Sequence, residues 1–97
     1  MNNAVAEKSF DFAIRIVNLS KYLIAEKKEF VLSKQVLKSG TAIGALIREA
    51  QYAQSNADFV NKMSIALKEA SETDYWLLLL YKTNISKNLT FNHLKTI

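Results

Sequence analysis

Glu69 and Glu72 stand one helical turn apart, with Lys62 two turns before the first of them. On a helix they share a face with Ile65 and Trp76. Such a pair of carboxylates could act as an acid and a base, or hold a divalent cation. Bundle metal sites, however, draw Glu-x-x-His ligands from several helices, and Glu72-Thr73-Asp74-Tyr75 puts tyrosine where that histidine would stand. The preferred reading is an ion pair that fixes helix register, buried or at an interface, with Lys62 or Arg48 as partner. His93 is the only histidine and cysteine is absent. That excludes a thiolate nucleophile and any Cys-ligated zinc or iron–sulfur site, and leaves no second imidazole for a His cage. A self-contained Ser–His–Asp triad is equally hard to build around a lone histidine near the chain end. No enzymatic activity, metal or cofactor is expected.

Two further groups could bind rather than react. Lys34, Lys38 and Arg48 project from one side of a predicted helix with Tyr52, and Lys27 and Lys28 precede them. Cations interleaved with an aromatic can hold a phosphate backbone, RNA or DNA; the plainer alternative is a solvated face that keeps the domain soluble. Gly40 and Gly44 lie four apart on the face shared with Leu37 and Ile47. A glycine inside a helix costs about 1 kcal/mol relative to alanine, so something offsets it. A phosphate-cradling loop would need a preceding strand and a following Gly-Lys-Ser/Thr, and neither is present. Close approach of two helix backbones is the preferred explanation. Trp76 and Tyr75 are read as packing anchors rather than a base-stacking platform.

The elements that must position these residues are helices. The chain has 97 residues, no proline and two glycines, 49% hydrophobic and 23% charged content, and a net charge of +4. That is one ordinary globular domain lacking the punctuation of an all-β fold. Helices are predicted from about Phe10, capped by Ser9, to Lys27; from Phe30 to Ala53; from after Ser55, with Asp58 completing a weak capping box, to Thr83; and from after Ser86 to Ile97. Short connections make consecutive helices antiparallel. The third carries an a/d seam through Phe59, Met63, Ala66, Ala70, Thr73, Leu77 and Leu80, and a second seam through Lys62, Ile65, Glu69, Glu72, Trp76 and Leu79. The second has Leu32, Val36, Ser39, Ile43, Leu46, Ala50 and Ala53 in register. The first has two apolar stripes, one through Phe10, Ala13, Val17 and Ile24 and one through Phe12, Ile16, Leu19 and Leu23, with Asp11, Arg15, Asn18 and Tyr22 on its polar arc. The expected fold is all-α, an antiparallel up-down four-helix bundle with a shortened fourth helix.

Charges inside the first twenty residues leave no signal-peptide core. The longest apolar run, Tyr75 to Tyr81, is far below the roughly 20 residues that span a bilayer. A cytoplasmic protein without membrane contact is expected. More apolar faces exist than a lone bundle buries, and a third helix about 40 Å long outruns a fourth of about 16 Å. The groove beside Phe59 and Met63 therefore calls for another chain or for residues outside this sequence, and a homo-oligomer is expected.

The run Leu32-Ser33-Lys34-Gln35-Val36-Leu37-Lys38-Ser39-Gly40-Thr41-Ala42-Ile43-Gly44-Ala45, followed by Glu49-Ala50, Asp58-Phe59, Lys62-Met63, Ile65 to Ala70, Glu72-Thr73 and Tyr75-Trp76-Leu77, resembles the four-helix-bundle proteins encoded in intervening sequences of bacterial large-subunit (23S) ribosomal RNA genes. That family, sometimes labelled a ribosomal protein, is similar in fold to the accessory variability protein of diversity-generating retroelements. The resemblance covers about Phe10 to Leu80 and implies a homopentameric ring. The retroelement relative is basic and works with nucleic acid and a reverse transcriptase, so RNA or DNA is an implied partner. Five copies of +4 would give about +20 on one particle, enough to attract polyanions without base readout. The family usually has asparagine where this chain has Leu46, and its members continue through a full fourth helix.

Overall fold

The computed structural model describes residues 3–85, and among them it places three helices and no strand: α1 (Asn3–Ala25), α2 (Leu32–Gln51) and α3 (Asn56–Lys82). The fourth helix expected after Ser86 lies outside the described residues. Ser55 starts α3 from an extended conformation, its Oγ accepting the Asp58 backbone N–H at 3.0 Å. The Asp58 carboxylate accepts in turn from the Gln54 N–H at 3.3 Å, so the box closes one residue wider than the standard motif. At the other end Asn84 takes a left-handed φ of 65°. Ile85 N–H then reaches back to the Leu80 carbonyl and Asn84 N–H to that of Tyr81, both at 3.1 Å. This is a Schellman stop, with Ile85 packed on the core beside Leu80.

Several helix boundaries differ from expectation. α1 starts well before Phe10, because Ala4 to Lys8 contain nothing that breaks a helix. Ser9 is therefore not an N-cap: it is buried inside α1, and its hydroxyl donates to the Ala6 carbonyl at 3.0 Å. α2 is shorter than expected at both ends. Lys28 turns the chain at a left-handed φ of 53°, and Glu29 N–H bonds the Leu23 carbonyl at 2.9 Å. Val31 has no oxygen with which to cap, so the Glu29 carboxylate does it, accepting Ser33 N–H at 2.8 Å. A carboxylate there also meets the positive end of the helix dipole.

α2 lies between the other two and runs antiparallel to both, since Gly40 faces Ile16 and Gly44 faces Ser9, while Ser39 bonds Thr73 and Glu49 pairs with Lys62. The core comprises Ile16, Leu19 and Leu23 from α1, Val36 from α2 and Leu80 from α3. Phe12, Tyr22, Leu32, Leu37, Trp76, Leu77 and Ile85 pack against it. Of the two apolar stripes of α1, the one through Phe12, Ile16, Leu19 and Leu23 faces the core. The other, with Phe10 and Ile24, stays exposed. Tyr22, read as part of the polar arc, packs inward because its ring is mostly apolar surface.

One polar contact crosses the buried α2–α3 seam. Thr73 Oγ1 stands 2.9 Å from Ser39 Oγ and 2.8 Å from the Glu69 carbonyl, and Ser39 Oγ stands 3.2 Å from the Gln35 carbonyl. Either hydroxyl can donate to its own helix if its partner is removed. Ser39→Ala and Thr73→Val are accordingly expected to cost only about 0.5–1 kcal/mol each in denaturant titrations. A single loss above about 2 kcal/mol would mean that the survivor is left unsatisfied.

Candidate interaction surface

Gly40 and Gly44 sit where α1 and α2 come closest. A Cβ on Gly40 would lie 2.8 and 2.9 Å from the γ carbons of Ile16, and one on Gly44 would lie 3.2 Å from the Ser9 carbonyl oxygen. Both have ordinary helical backbone and stand inside α2, with no loop that could wrap an anion. Their small size lets the two helices approach and leaves a shallow open groove on the outer side of the pair. Ala6, Phe10 and Ala13 line it from α1; Thr41, Gly44, Ala45 and Arg48 line it from α2. A second, apolar cleft lies on the opposite side, between α1 and α3, with Phe12, Ile43, Ile47, Ala70, Thr73 and Leu77 among its lining. Phe59 and Met63, the groove expected to need covering, are half-buried.

Lys34, Lys38, Arg48 and Tyr52 are all exposed, as are Lys27 and Lys28 in the α1–α2 turn. At 100° per residue Lys34, Thr41, Ala45, Arg48 and Tyr52 fall within about 40° of one line along α2, with Lys38 at its margin. That line borders the groove. Across it runs the exposed stripe of α1, Phe10, Ile14 and Ile24, with the exposed Lys21 set among them. The cations thus edge an apolar surface instead of forming a separate basic track.

The carboxylates are arranged differently from expectation. Lys62 Nζ pairs with Glu49 Oε1 across the α2–α3 contact at 3.1 Å, not with Glu69 or Glu72. The reason is geometric: two helical turns separate Lys62 from Glu69, whereas antiparallel packing sets Glu49 directly opposite. Glu72 is exposed, and its Oε2 accepts the Trp76 indole N–H at 3.3 Å. Glu69 is half-buried. Arg48 lies on the outer groove, away from this face. Among the described residues no three His, Asp or Glu side chains are placed to hold a metal ion. Trp76 packs on the core, but Tyr75 does not anchor: it is 59% exposed and meets the Trp76 ring edge-on, centroids 5.0 Å apart.

The outer face of α3 is the surface that the sequence reading missed. Val60 is 60% and Leu67 73% exposed, and Leu78 and Tyr75 lie open on the same side. Positions 60, 64, 67, 71, 74 and 78 step by four and three, the spacing of a helical seam. Ser64, Ser71 and Asp74 interrupt it, so it scores as polar beside the richer seams of the same helix.

The model of the 23S rRNA-intervening sequence protein family matches residues 1–97. Among solved structures, the chain is similar to a crystal structure of a protein with unknown function from the S23 ribosomal protein family of Bacteroides thetaiotaomicron VPI-5482. The two are 57% identical with a TM-score of 0.94, over 98% of this chain and 88% of that one. No curated protein matches. No described helix is long and apolar enough to cross a membrane.

Proposed function

This chain belongs to the 23S rRNA-intervening sequence protein family, and we propose that it acts as a non-enzymatic helical module that assembles with copies of itself. The observation that carries this reading is the pair of exposed apolar stripes on the two helices that flank α2, Phe10–Ile14–Ile24 on α1 and Val60–Leu67–Leu78 on α3. Large apolar side chains exposed along one helix face mark interaction sites. The lone histidine and missing cysteine support a non-catalytic role. Light scattering at micromolar concentration is expected to give a multiple of 11.0 kDa, five being the number that the family resemblance suggests. A monomer would refute self-association; a stable dimer would retain it and discard the pentamer.

A second reading is that the assembly also contacts RNA or DNA. It rests on the exposed Lys27, Lys28, Lys34, Lys38 and Arg48, none of them ion-paired among the described residues. Repeated around an oligomer they would supply a sequence-independent phosphate contact. Log affinity for duplex is then expected to fall linearly with log salt, by about 0.9 per phosphate neutralised. Lys34→Glu with Lys38→Glu is expected to flatten that slope for all sequences alike. Failure of wild type to bind at about 50 mM salt, or undiminished binding by the double variant, leaves a purely protein–protein scaffold.

A further inference from the structure

We propose that the outer face of α3 of one copy seats in the outer α1–α2 groove of another, a head-to-tail contact between unlike surfaces. This rests on the self-assembly reading above and specifies which surfaces meet.

Shape is the first argument. The α3 face is a ridge on a single helix, with Leu67 and Tyr75 standing out from it. The α1–α2 face is a groove whose floor is small residues: Ala6, Ala13, Thr41, Gly44 and Ala45. Packing ridge into groove lets both apolar surfaces leave water at once. Pairing the groove with itself would leave its floor unfilled, and pairing ridge with ridge would touch along one line.

Charge agrees with shape. Arg48 is the one charge that lines the groove, and Asp74 is the one within the α3 stripe. Both are exposed, and neither is ion-paired among the described residues. Unlike pairing brings opposite signs to one interface, and like pairing brings equal ones.

Each copy then carries one ridge and one groove, so association continues until the ring closes or runs on as a filament. Two variants test this. Phe10→Asp disables the groove side and Leu67→Asp the ridge; both positions are exposed in the protomer, and helical circular dichroism checks the fold. Serine versions of both replace them where aspartate unfolds the chain. Each variant alone is expected to be monomeric by light scattering. Their equimolar mixture is expected to form a heterodimer of twice 11.0 kDa and stop there, because only one ridge and one groove remain usable. Self-pairing of either variant, a mixture that stays monomeric, or variants that keep the wild-type mass would each overturn the pairing while wild type still assembles. Monomeric wild type would instead remove the self-assembly reading beneath it.

Discussion

Gly40→Ala is expected to lower the unfolding free energy by about 1–2 kcal/mol, although alanine is the better helix former by about 1 kcal/mol. The new Cβ would stand 2.8 and 2.9 Å from Cγ1 and Cγ2 of Ile16. Those two atoms branch directly from the Ile16 Cβ, so no single rotation moves both aside, and Ile16 is fully buried. Relief must come from the helices moving apart, which opens the whole α1–α2 seam. For a domain of this size the loss corresponds to roughly 4–8 °C per kcal/mol in melting temperature. Gly44→Ala is the control: its contact is looser, 3.2 Å to one carbonyl oxygen, and the loss is expected to be smaller. Thermal melts of both, at one protomer concentration, decide the matter. If Gly40→Ala melts as high as wild type, the α1–α2 contact is looser than its geometry states. In combination with Ile16→Ala the alanine fills vacated space, so the two losses should sum to less than their parts.

Leu80→Ala is expected to cost about 2–5 kcal/mol, a large share of the roughly 5–15 kcal/mol that holds a domain of this kind together. Leu80 is fully buried where all three helices contribute to the core, and the Schellman stop fixes the backbone around it, so the cavity cannot collapse freely. Leu67, on the same helix but 73% exposed, gives the opposite expectation. Leu67→Ala should leave protomer stability within about 0.5 kcal/mol. Any further loss should depend on protomer concentration, because it would come through assembly. Denaturant titrations at two concentrations separate the two. A concentration-independent loss at Leu67 as large as that at Leu80 would place Leu67 inside the protomer core.

Much of the fold was legible because its signals are local and periodic. The α3 seam through Ala66, Thr73 and Leu80 and the α2 seam through Val36, Ser39 and Ala50 are buried as their spacing requires, and Ser55 caps α3 as its type and position suggest. Ser9 misled because serine at a helix start and serine against a neighbouring backbone look alike in one dimension. Only Gly44 on the facing helix distinguishes them. Lys62 misled for a related reason: its partner Glu49 is on another helix, and which acids meet it is decided by the antiparallel offset. The exposed stripes were half legible. Phe10 and Ile24 were visible as a surplus face, but Val60, Leu67 and Leu78 were hidden by the serines between them. Periodicity names the faces of a helix; packing decides which of them reaches water.

The central position of α2 also bears on how the chain finds this arrangement. Each helix packs mainly on its neighbour in sequence, α1 on α2 and α2 on α3, so every major contact closes only a short stretch of chain. Loop-closure entropy is then small at each step, and topologies of this kind fold in microseconds to milliseconds. Either hairpin can form first, and both share α2. Side chains at the α2 seams, Val36 and Ser39 among them, are therefore engaged on both routes and should govern the rate of folding. The outward faces of α1 and α3 are spectators to that search, so their residues can change without slowing it.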